Sequence, residues 1–188
     1  EPDLSILIWT TTPWTLPANV AVAVREDLEY VTVKVGAKRY LLAEALLATT
    51  ASACGWQEHT IEKRTTGKAL EGRTFRHPFI DRTVPVILGE FVTTDTGTGV
   101  VHIAPGHGIE DYMVGLRYKL PVLAPVDASG RLTADATVCV GENVFDANPK
   151  IIQLLRDKGV LLDATRIEHS YPHCWRCKGP VIFRATSQ

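Results

Sequence analysis

The sequence predicts a β-rich α+β fold, with the strands in a closed or nearly closed barrel and the helices at its periphery. Many short apolar or alternating runs are bounded by glycine and proline, which is typical of short strands. Only a few segments place apolar residues at helical spacing. Strands and helices do not alternate regularly, so a doubly wound sheet is less suitable.

Length and composition limit the classes of protein further. The chain has 188 residues, of which 45% are hydrophobic and 22% charged, as in an ordinary globular domain. No apolar stretch approaches the ~20 residues of a membrane span, so no membrane partner is expected. The net charge of −1 argues against coating a long duplex, but not against holding a short single-stranded end. We expect a single domain over residues 1–188.

The first half of the chain is predicted to be mostly strands. Residues 4–9 are predicted as a buried strand, and residues 30–35 and 39–42 as a hairpin, while residues 20–24 are a short apolar run. Residues 10–19 contain Pro13 and Pro17, which exclude a regular helix or a central strand. Residues 43–53 have helical composition, and residues 55–75 are predicted as loop with short strands.

The second half mixes strands, loops and two helices. Five runs are predicted as strands: residues 84–88, 91–93, 100–104, 122–126 and 181–185. Residues 94–99 and 127–141 are predicted as turns and loop. A helix begins at Ile109, because Ile109, Tyr112, Met113 and Leu116 share one apolar face. Residues 149–157 suit a helix with Pro149 in its first turn.

A threonine-rich segment leaves the first strand and is the first candidate site. Trp9 precedes Thr10, Thr11 and Thr12, and the following prolines stiffen the loop. A rigid row of hydroxyls suits a polar substrate or a water. Taken alone, the segment is more often a plain strand edge with a packed tryptophan.

A strand–turn–helix junction over residues 97–112 is the second candidate. The strand carries His102 toward a glycine-rich turn, and Asp111 lies in the first helical turn, off the apolar face. Amide groups at such a helix start favour an anion or a developing oxyanion. Separately, His102 is explained as a satisfied core histidine and Asp111 as helix-dipole compensation. A metal-dependent hydrolase would instead use His102, His107 and Asp111 as ligands.

The cysteines indicate a reducing compartment and one possible metal corner. Cys54 and Cys139 stand alone, whereas Cys174 and Cys177 form a CxxC pair that suits one corner of a tetrahedral zinc site. The remaining ligands could lie outside the chain, or be His169 and His173, or there is no metal. Motifs for metalloproteases, phosphate-binding loops and serine hydrolases are absent from the sequence.

Three long motifs resemble one known family. The runs TTTPWTLPAN, GTGVVHIAPGHGIEDY and HSYPHCWRCKGPVIFRAT are similar to the inserted editing domain (connective polypeptide 1, CP1) of isoleucyl-tRNA synthetases. The resemblance runs from Leu4 to the end, in the family's order. Valyl and leucyl relatives carry an Arg-Pro-acid-Thr run where this chain has Pro13-Trp14-Thr15, so the resemblance is to the isoleucyl branch.

The resemblance implies post-transfer editing, because a pocket separates isoleucine from valine by only ~1–3 kcal/mol. Water would hydrolyse the ester of mischarged valyl-tRNA(Ile) without a covalent intermediate, with valyl-adenylate as a further candidate substrate. The expected partners are the 3′ end of tRNA(Ile) carrying valine and the remainder of the parent synthetase. The expected location is the cytoplasm. The parent's adenylate-forming motifs are absent from this sequence.

The resemblance also assigns residues. Asp111 corresponds to the acid that binds the substrate ammonium, and His102 to the histidine that limits side-chain size. Catalytic roles correspond to Thr12 and Asn19. The pocket wall and the hydroxyls near the ester correspond to Trp9, Thr10, Thr11 and Thr15. No cofactor is expected for editing. Cys174 and Cys177 correspond to half of a zinc site, expected to be empty here, with zinc a candidate in the parent enzyme.

Two alternatives and one expectation about the chain remain. The alternatives are the editing domain of a valyl or leucyl synthetase, and a zinc-knuckle module that binds nucleic acid without chemistry. The absence of an initial Met and the end after an apolar run suggest a domain excised from a larger synthetase. Residues 166–188 would then begin the return connection to the parent catalytic core.

Overall fold

The computed structural model describes residues 3–166 and 171–186. It resolves into two compact units, unit 1 (Glu1–Thr12 and Asn19–Ile103) and unit 2 (Pro13–Ala18 and Ala104–Gln188). The described strands lie in unit 1, and the two longest described helices lie in unit 2. This mixed content confirms the α+β class. No helix among the described residues is long and apolar enough to cross a membrane.

Unit 1 is built from short strands and one short helix. Its described strands, numbered in chain order, are β1 (Leu4–Ile6), β2 (Ala21–Val24), β3 (Glu29–Val35), β4 (Lys38–Ala43), β5 (Thr60–Thr66), β6 (Thr74–Arg76), β7 (Thr83–Leu88) and β8 (Val101–Ile103). Helix α1 (Leu47–Ala53) follows a 3-10 turn at Glu44–Leu46, and a second such turn spans Gly67–Leu70. The predicted hairpin of residues 30–35 and 39–42 is confirmed as β3 and β4.

The strands form two four-stranded sheets in place of one closed barrel. One sheet has the order β1-β4-β3-β5 and the other β6-β7-β2-β8. Apolar side chains of β2 and β7 and of β3 and β4 share one core cluster, which includes Val24, Tyr30 and Val86. Val31 and Val33 face the other way and pack with Leu47 of α1. Strand β3 is therefore buried on both faces, which explains its nearly continuous apolar run.

Unit 2 contains the 3-10 helix Pro13–Ala18 and two α-helices. Helix α2 (Ile109–Tyr118) begins where the sequence predicts. Helix α3 (Val144–Asp157) begins five residues before the predicted start at Pro149. The Asn143 side chain caps it by accepting from the Phe145 N–H at 3.0 Å, so Pro149 lies inside the helix. A short 3-10 turn spans Ala134–Ala136.

Three predicted strands are wrong. Residues 91–93, 122–126 and 181–185 are not strands, although an isolated bridge joins Val126 to Leu132. Val92 is fully buried in a turn after Gly89, so its apolar character reflects burial and not strand pairing. Pro125 removes a ladder donor from the second run, and Pro121 directly precedes that run. In the third run, the Val181 N–H donates to the Pro172 carbonyl and the Ala185 N–H to the Gly106 carbonyl, and these two separate bonds do not form a strand ladder.

The predicted apolar face of α2 is exposed. Ile109 is 72% exposed, Met113 62% and Leu116 56%. The buried residues are Val114 and Gly115, and a Cβ on Gly115 would lie 3.0 Å from Pro105. Small side chains thus decide which face of α2 packs inward. Asp111 was predicted off the apolar face, and it is half-buried while the apolar residues are not.

Candidate active site

The threonine segment of unit 1 is a compact turn. Thr10 Oγ1 accepts from the Thr12 N–H at 3.1 Å and lies 3.4 Å from Thr12 Oγ1. Thr10 and Thr12 are half-buried, whereas Thr11 is exposed. The hydroxyl of Thr10 therefore fixes the backbone of Thr12 and stands beside its hydroxyl. The pair can hold one small polar group between two hydroxyls that donate or accept.

Trp9 lies against the glycine-rich turn that precedes β8. A Cβ on Gly97, whose φ is 80°, would lie 3.1 Å from Trp9 Cβ. Thr98 Oγ1 donates to the Leu7 carbonyl at 2.7 Å, and Ala43 N–H donates to the Thr98 carbonyl at 2.9 Å. A Cβ on Gly99 would overlap Ala43 Cβ. The turn is thus fixed on both sides, and glycine is needed where it approaches β4.

Asn19 is buried, and its side chain donates hydrogen bonds to backbone carbonyls of unit 1. Its Nδ2 donates to the Ala21 carbonyl at 2.8 Å and reaches the Ile103 carbonyl at 3.5 Å. The backbone carbonyl of Asn19 accepts from Arg82 Nη1 at 2.6 Å. The amide joins the start of β2 to the end of β8. The structure therefore gives Asn19 a positioning contact, while the predicted catalytic role stays a prediction.

His102 is the middle residue of β8. It is 8% exposed and lies opposite Val22 in the antiparallel pair of β8 with β2. Directly opposed residues in such a pair project from the same face of the sheet, so His102 shares the face of Val22. Strand β8 is at the end of its sheet's strand order. The histidine is therefore held by a short, pinned edge strand.

Asp111 is a half-buried carboxyl group of unit 2. Its Oδ2 accepts from the Ala104 N–H at 2.8 Å. Burial raises the pKa of Asp111 above its ordinary value, while the Ala104 N–H opposes that shift. A Cβ on Gly108 would lie 3.2 Å from the carboxyl carbon, so glycine there leaves room for the carboxylate. The described residues of the chain supply no cationic side chain that pairs with it.

Trp14 and His107 pack together beside this helix start. Their ring centroids are 4.9 Å apart in an edge-on arrangement. His107 Nδ1 lies 3.0 Å from the Phe183 carbonyl, and the Trp14 N–H donates to Asn148 Oδ1 at 3.0 Å. Within the described residues, Trp14 Nε1 and His107 Nε2 are buried without a hydrogen-bond partner. Burial lowers the pKa of His107, which favours the neutral ring.

The predicted site residues are thus found in two sets. Unit 1 holds Trp9, the threonines at 10–12, Asn19 and His102, and unit 2 holds Thr15 and Asp111. Thr15 is buried in the 3-10 helix that also carries Trp14. Sequence reasoning missed the contact of Trp14 with His107. The available signal was Pro13, which directly precedes Trp14 and restricts the backbone at the start of the 3-10 helix.

The CxxC pair sits on a tight turn. Cys174 N–H donates to the Gly179 carbonyl at 2.8 Å, and Lys178 N–H donates to the Cys174 carbonyl at 2.9 Å. The Cys177 and Arg176 N–H groups hold the pKa of the Cys174 thiol below its ordinary value. The described residues contain no group of three or more metal-ligating side chains. His169, one predicted additional ligand, lies outside the described residues. Two thiols alone fit only part of a zinc site.

Comparison with known proteins identifies the family. A family model described as "Leucyl-tRNA synthetase, editing domain" matches residues 1–154. The chain belongs to this family of aminoacyl-tRNA synthetase editing domains.

The similar curated relatives are isoleucine--tRNA ligases. The protein from Fervidobacterium pennivorans is 53% identical over 100% of this chain and 20% of its own length. The protein from Desulfovibrio desulfuricans is 52% identical over 97% of this chain and 20% of its own length. The chain thus spans about a fifth of these relatives. Their names confirm the resemblance to the isoleucyl branch.

Solved structures confirm the fold. The crystal structure of GlLeuRS-CP1 has a TM-score of 0.70 at 16% identity, covering 88% of this chain and 85% of that one. The cytosolic leucyl-tRNA synthetase editing domain of P. knowlesi has a TM-score of 0.64 at 10% identity, covering 82% of each chain. The architecture is therefore shared at sequence identities too low to carry function.

Proposed function

We propose that this chain hydrolyses the aminoacyl ester of valyl-tRNA(Ile), with valyl-adenylate as a further candidate substrate. The observation that carries the proposal is the Asp111 carboxylate, which is half-buried and has a raised pKa. A buried carboxylate without a protein cation is suited to an ammonium ligand, since the incoming charge stabilises the ionised form. The α-ammonium of an aminoacyl ester is such a ligand.

The proposed reaction is attack by water on the ester carbonyl carbon. The bond from that carbon to the ribose oxygen of the terminal nucleotide breaks, which releases valine and a tRNA with a free 3′ end. The Thr10 and Thr12 hydroxyls, 3.4 Å apart, are suited to orienting the water or the ribose. Thr11 and Thr15 are assigned to the substrate environment. No protein nucleophile is required, because water supplies the attacking oxygen.

His102 is proposed to limit the size of the amino-acid side chain. The larger isoleucine cannot be rejected through missing attraction, so it must overlap a fixed wall. An imidazole on a short strand joined to β2 is a stiff wall. Asn19 is proposed to help by holding the end of β8, since its amide reaches the Ile103 carbonyl. Trp9 is assigned to the neighbouring pocket wall.

The proposed partners follow from the family. The 3′ end of tRNA(Ile) carrying valine is the substrate, and the remainder of a synthetase is the partner joined through residues 166–188. Relatives about five times longer support this assignment, since each is a tRNA ligase. We place the protein in the cytoplasm because its four cysteines include an unpaired CxxC that a reducing compartment preserves. Zinc would need ligands beyond Cys174 and Cys177.

One sister activity has specific support. The matching family model is named after leucyl-tRNA synthetase, which favours editing of tRNA(Leu) that carries a non-cognate amino acid. The Pro13-Trp14-Thr15 run and the isoleucine--tRNA ligase relatives favour the isoleucyl assignment. The metal-dependent alternative lacks a described group of three ligands, and the knuckle alternative leaves Asp111 without a role.

Deacylation assays test the proposal. We expect the chain to release valine from valyl-tRNA(Ile), to spare isoleucyl-tRNA(Ile), and to keep its activity in EDTA. Threonyl-tRNA(Val) and tRNA(Leu) charged with a non-cognate amino acid serve as controls for the sister activities. Failure to hydrolyse valyl-tRNA(Ile) by a folded chain would reject the proposal. Loss of activity in EDTA, with unchanged circular dichroism, would favour the metal-dependent alternative.

A further inference from the structure

Residues 183–185, called the strap below, run along the turn that precedes α2. Ala185 N–H donates to the Gly106 carbonyl at 2.7 Å. His107 Nδ1 lies 3.0 Å from the Phe183 carbonyl. Because a carbonyl only accepts, the proton of the neutral His107 ring is on Nδ1. Two hydrogen bonds therefore join the strap to adjacent residues of one turn.

Asp111 holds the same turn from its other end. The turn, residues 104–107, is closed by a hydrogen bond of 2.9 Å from His107 N–H to the Ala104 carbonyl. Its first N–H group, that of Ala104, donates to Asp111 Oδ2. A Cβ on Gly106 would overlap the Leu123 carbonyl, so the turn is also packed tightly on one side. A turn of four residues with so little free space moves as one piece.

His107 is the side chain that joins the two contacts. Its ring is held edge-on by Trp14, at a centroid distance of 4.9 Å. Burial favours the neutral ring, which keeps Nδ1 as the donor toward the strap. The ring therefore has one fixed orientation, and its backbone N–H closes the turn.

We propose that His107 is a positioning residue for Asp111. By joining the strap to the turn, it fixes the Ala104 N–H on which the Asp111 carboxylate rests, and so orients that carboxylate. The consequence for catalysis rests on the proposed function, in which Asp111 binds the substrate ammonium. An ammonium contact made equally in ground and transition states affects KM and not kcat. Loss of the His107 contact therefore raises KM.

Hydrogen exchange at the Ala104 amide measures the coupling without any substrate. In the 188-residue chain, His107→Phe keeps a ring against Trp14 but removes the donor to the Phe183 carbonyl. We expect the Ala104 amide to exchange about 2- to 10-fold faster, the effect of one hydrogen bond. His107→Asn places an amide nitrogen near the former Nδ1 and should return exchange toward the wild-type rate.

A matched control exists in the same unit. His173 Nδ1 also bonds a backbone carbonyl, that of Tyr171, at 2.8 Å. His173→Phe removes the same kind of hydrogen bond away from the turn, so Ala104 exchange should stay at the wild-type rate. Equal exchange in wild type and His107→Phe would overturn the proposal, as would equal acceleration in the Phe and Asn variants. If His107→Phe does not fold, His107→Gln replaces it, because its amide reaches the Nε2 position instead.

Kinetics separate positioning from simple loss of folded protein. His107→Phe should raise KM for valyl-tRNA(Ile) with kcat nearly unchanged, and His107→Asn should restore KM. A lower apparent kcat at constant KM would indicate fewer folded molecules and would contradict positioning. If wild type does not hydrolyse valyl-tRNA(Ile), the proposed function fails, while the exchange comparison still decides whether His107 positions Asp111.

Discussion

The buried polar side chains of unit 1 and the half-buried Asp111 of unit 2 differ in how their hydrogen bonds are satisfied. In unit 1, Tyr30 OH donates to the Gly99 carbonyl at 2.8 Å and accepts from the Arg25 N–H at 2.9 Å. Asn19 and Thr98 likewise bond backbone groups. In unit 2, Asp111 accepts one N–H group and pairs with no described cation.

The difference separates scaffold from function. Burial raises the pKa of Tyr30 to about 12, far above any physiological pH, so the neutral phenol carries no penalty. Burial raises the pKa of Asp111 as well, but a carboxyl is ionised at neutral pH unless the shift is very large. The side chains of unit 1 stabilise strands, whereas Asp111 retains a charge whose burial costs free energy. A charge that is buried at a cost in folding free energy is typical of a ligand-binding or catalytic site.

Removing the charge of Asp111 gives the largest expected effect. Asp111→Asn keeps an oxygen that can accept from the Ala104 N–H but offers no anion to an ammonium. Breaking a buried charge pair costs ~2–5 kcal/mol, so we expect kcat/KM for valyl-tRNA(Ile) deacylation to fall by about 30-fold or more, mainly through a higher KM. Deacylation rates and circular dichroism are measured together. A near-wild-type rate would show that Asp111 belongs to the scaffold.

Replacing His102 tests whether this histidine limits the size of the substrate side chain or acts as a general base. His102→Ala should allow isoleucyl-tRNA(Ile) to be hydrolysed while valyl-tRNA(Ile) cleavage largely persists. Overlap of one methylene costs ~1–3 kcal/mol, so the ratio of the two rates should shift by about 5- to 150-fold. Parallel loss of both activities would indicate a general base and reject the sieve.

The Asn19→Ala variant tests whether Asn19 stabilises the fold of unit 1 or takes part in catalysis. Asn19→Ala leaves the Ala21 carbonyl without its side-chain donor and removes the contact to Ile103. Unsatisfied buried polar groups cost ~1–3 kcal/mol, and we expect the free energy of unfolding to fall by about that much. Urea unfolding measures it, and Gln57→Ala, at an exposed position of unit 1, is the comparison variant and should keep the wild-type stability. A stable Asn19→Ala chain with lost deacylation would instead make Asn19 catalytic.

Thr12 is expected to give a smaller change. Thr12→Ala removes one hydroxyl beside Thr10, and one hydrogen bond is worth ~0.5–1.5 kcal/mol. Deacylation should therefore slow by about 2- to 10-fold. Thr60→Ala, at an exposed position of β5 outside the proposed site, is the control and should keep the wild-type rate. Mass spectrometry of quenched reactions should find no valyl group on any threonine, and a trapped adduct would contradict direct attack by water.

The smallest expected effect is a higher thermal stability of Asp111→Asn than of wild type, which depends on pH. Because the folded-state pKa of Asp111 lies above its ordinary value of 3.8, ionisation destabilises the folded chain. This penalty is absent below about pH 3.8 and grows as the pH rises through the folded-state pKa. Asp111→Asn should therefore melt at a higher temperature than wild type at pH 7, and the two should converge at low pH. A lower Tm at pH 7 would show that the charge stabilises the fold.

Local sequence pattern predicted the elements that pair or begin with a clear signal. The hairpin of β3 and β4, strand β8 and the start of α2 were all predicted, because alternation, glycine and helical spacing are local properties. The wrong strand at residues 122–126 shows the limit, because the run has the apolar pattern of a strand although Val122 is exposed and Val126 pairs with Leu132 in an isolated bridge. The start of α3 was missed because Pro149 resembled a first-turn proline, while the Asn143 cap was the real signal.

The candidate site was predictable as a set of residue types but not as contacts. Asp111 and His102 were identified from their place around a strand, turn and helix. The strap's contact with His107 was not, because it joins residues 76 positions apart and depends on folding. The face of α2 that packs inward was also not predictable from the sequence, because Gly115 packs closely against Pro105 while the apolar Ile109 is exposed.

Strand β5 has a consequence for solubility. It ends one sheet's strand order, and most of its residues are exposed. Glu62, Lys63 and Arg64 lie in its centre, and Arg64 pairs with Glu44 at 2.9 Å. A neighbouring chain that added a strand here would have to desolvate these charges, which guards the edge against amyloid-like stacking. Replacing these three charged residues with valines should make this edge strand prone to pair with other chains and to aggregate.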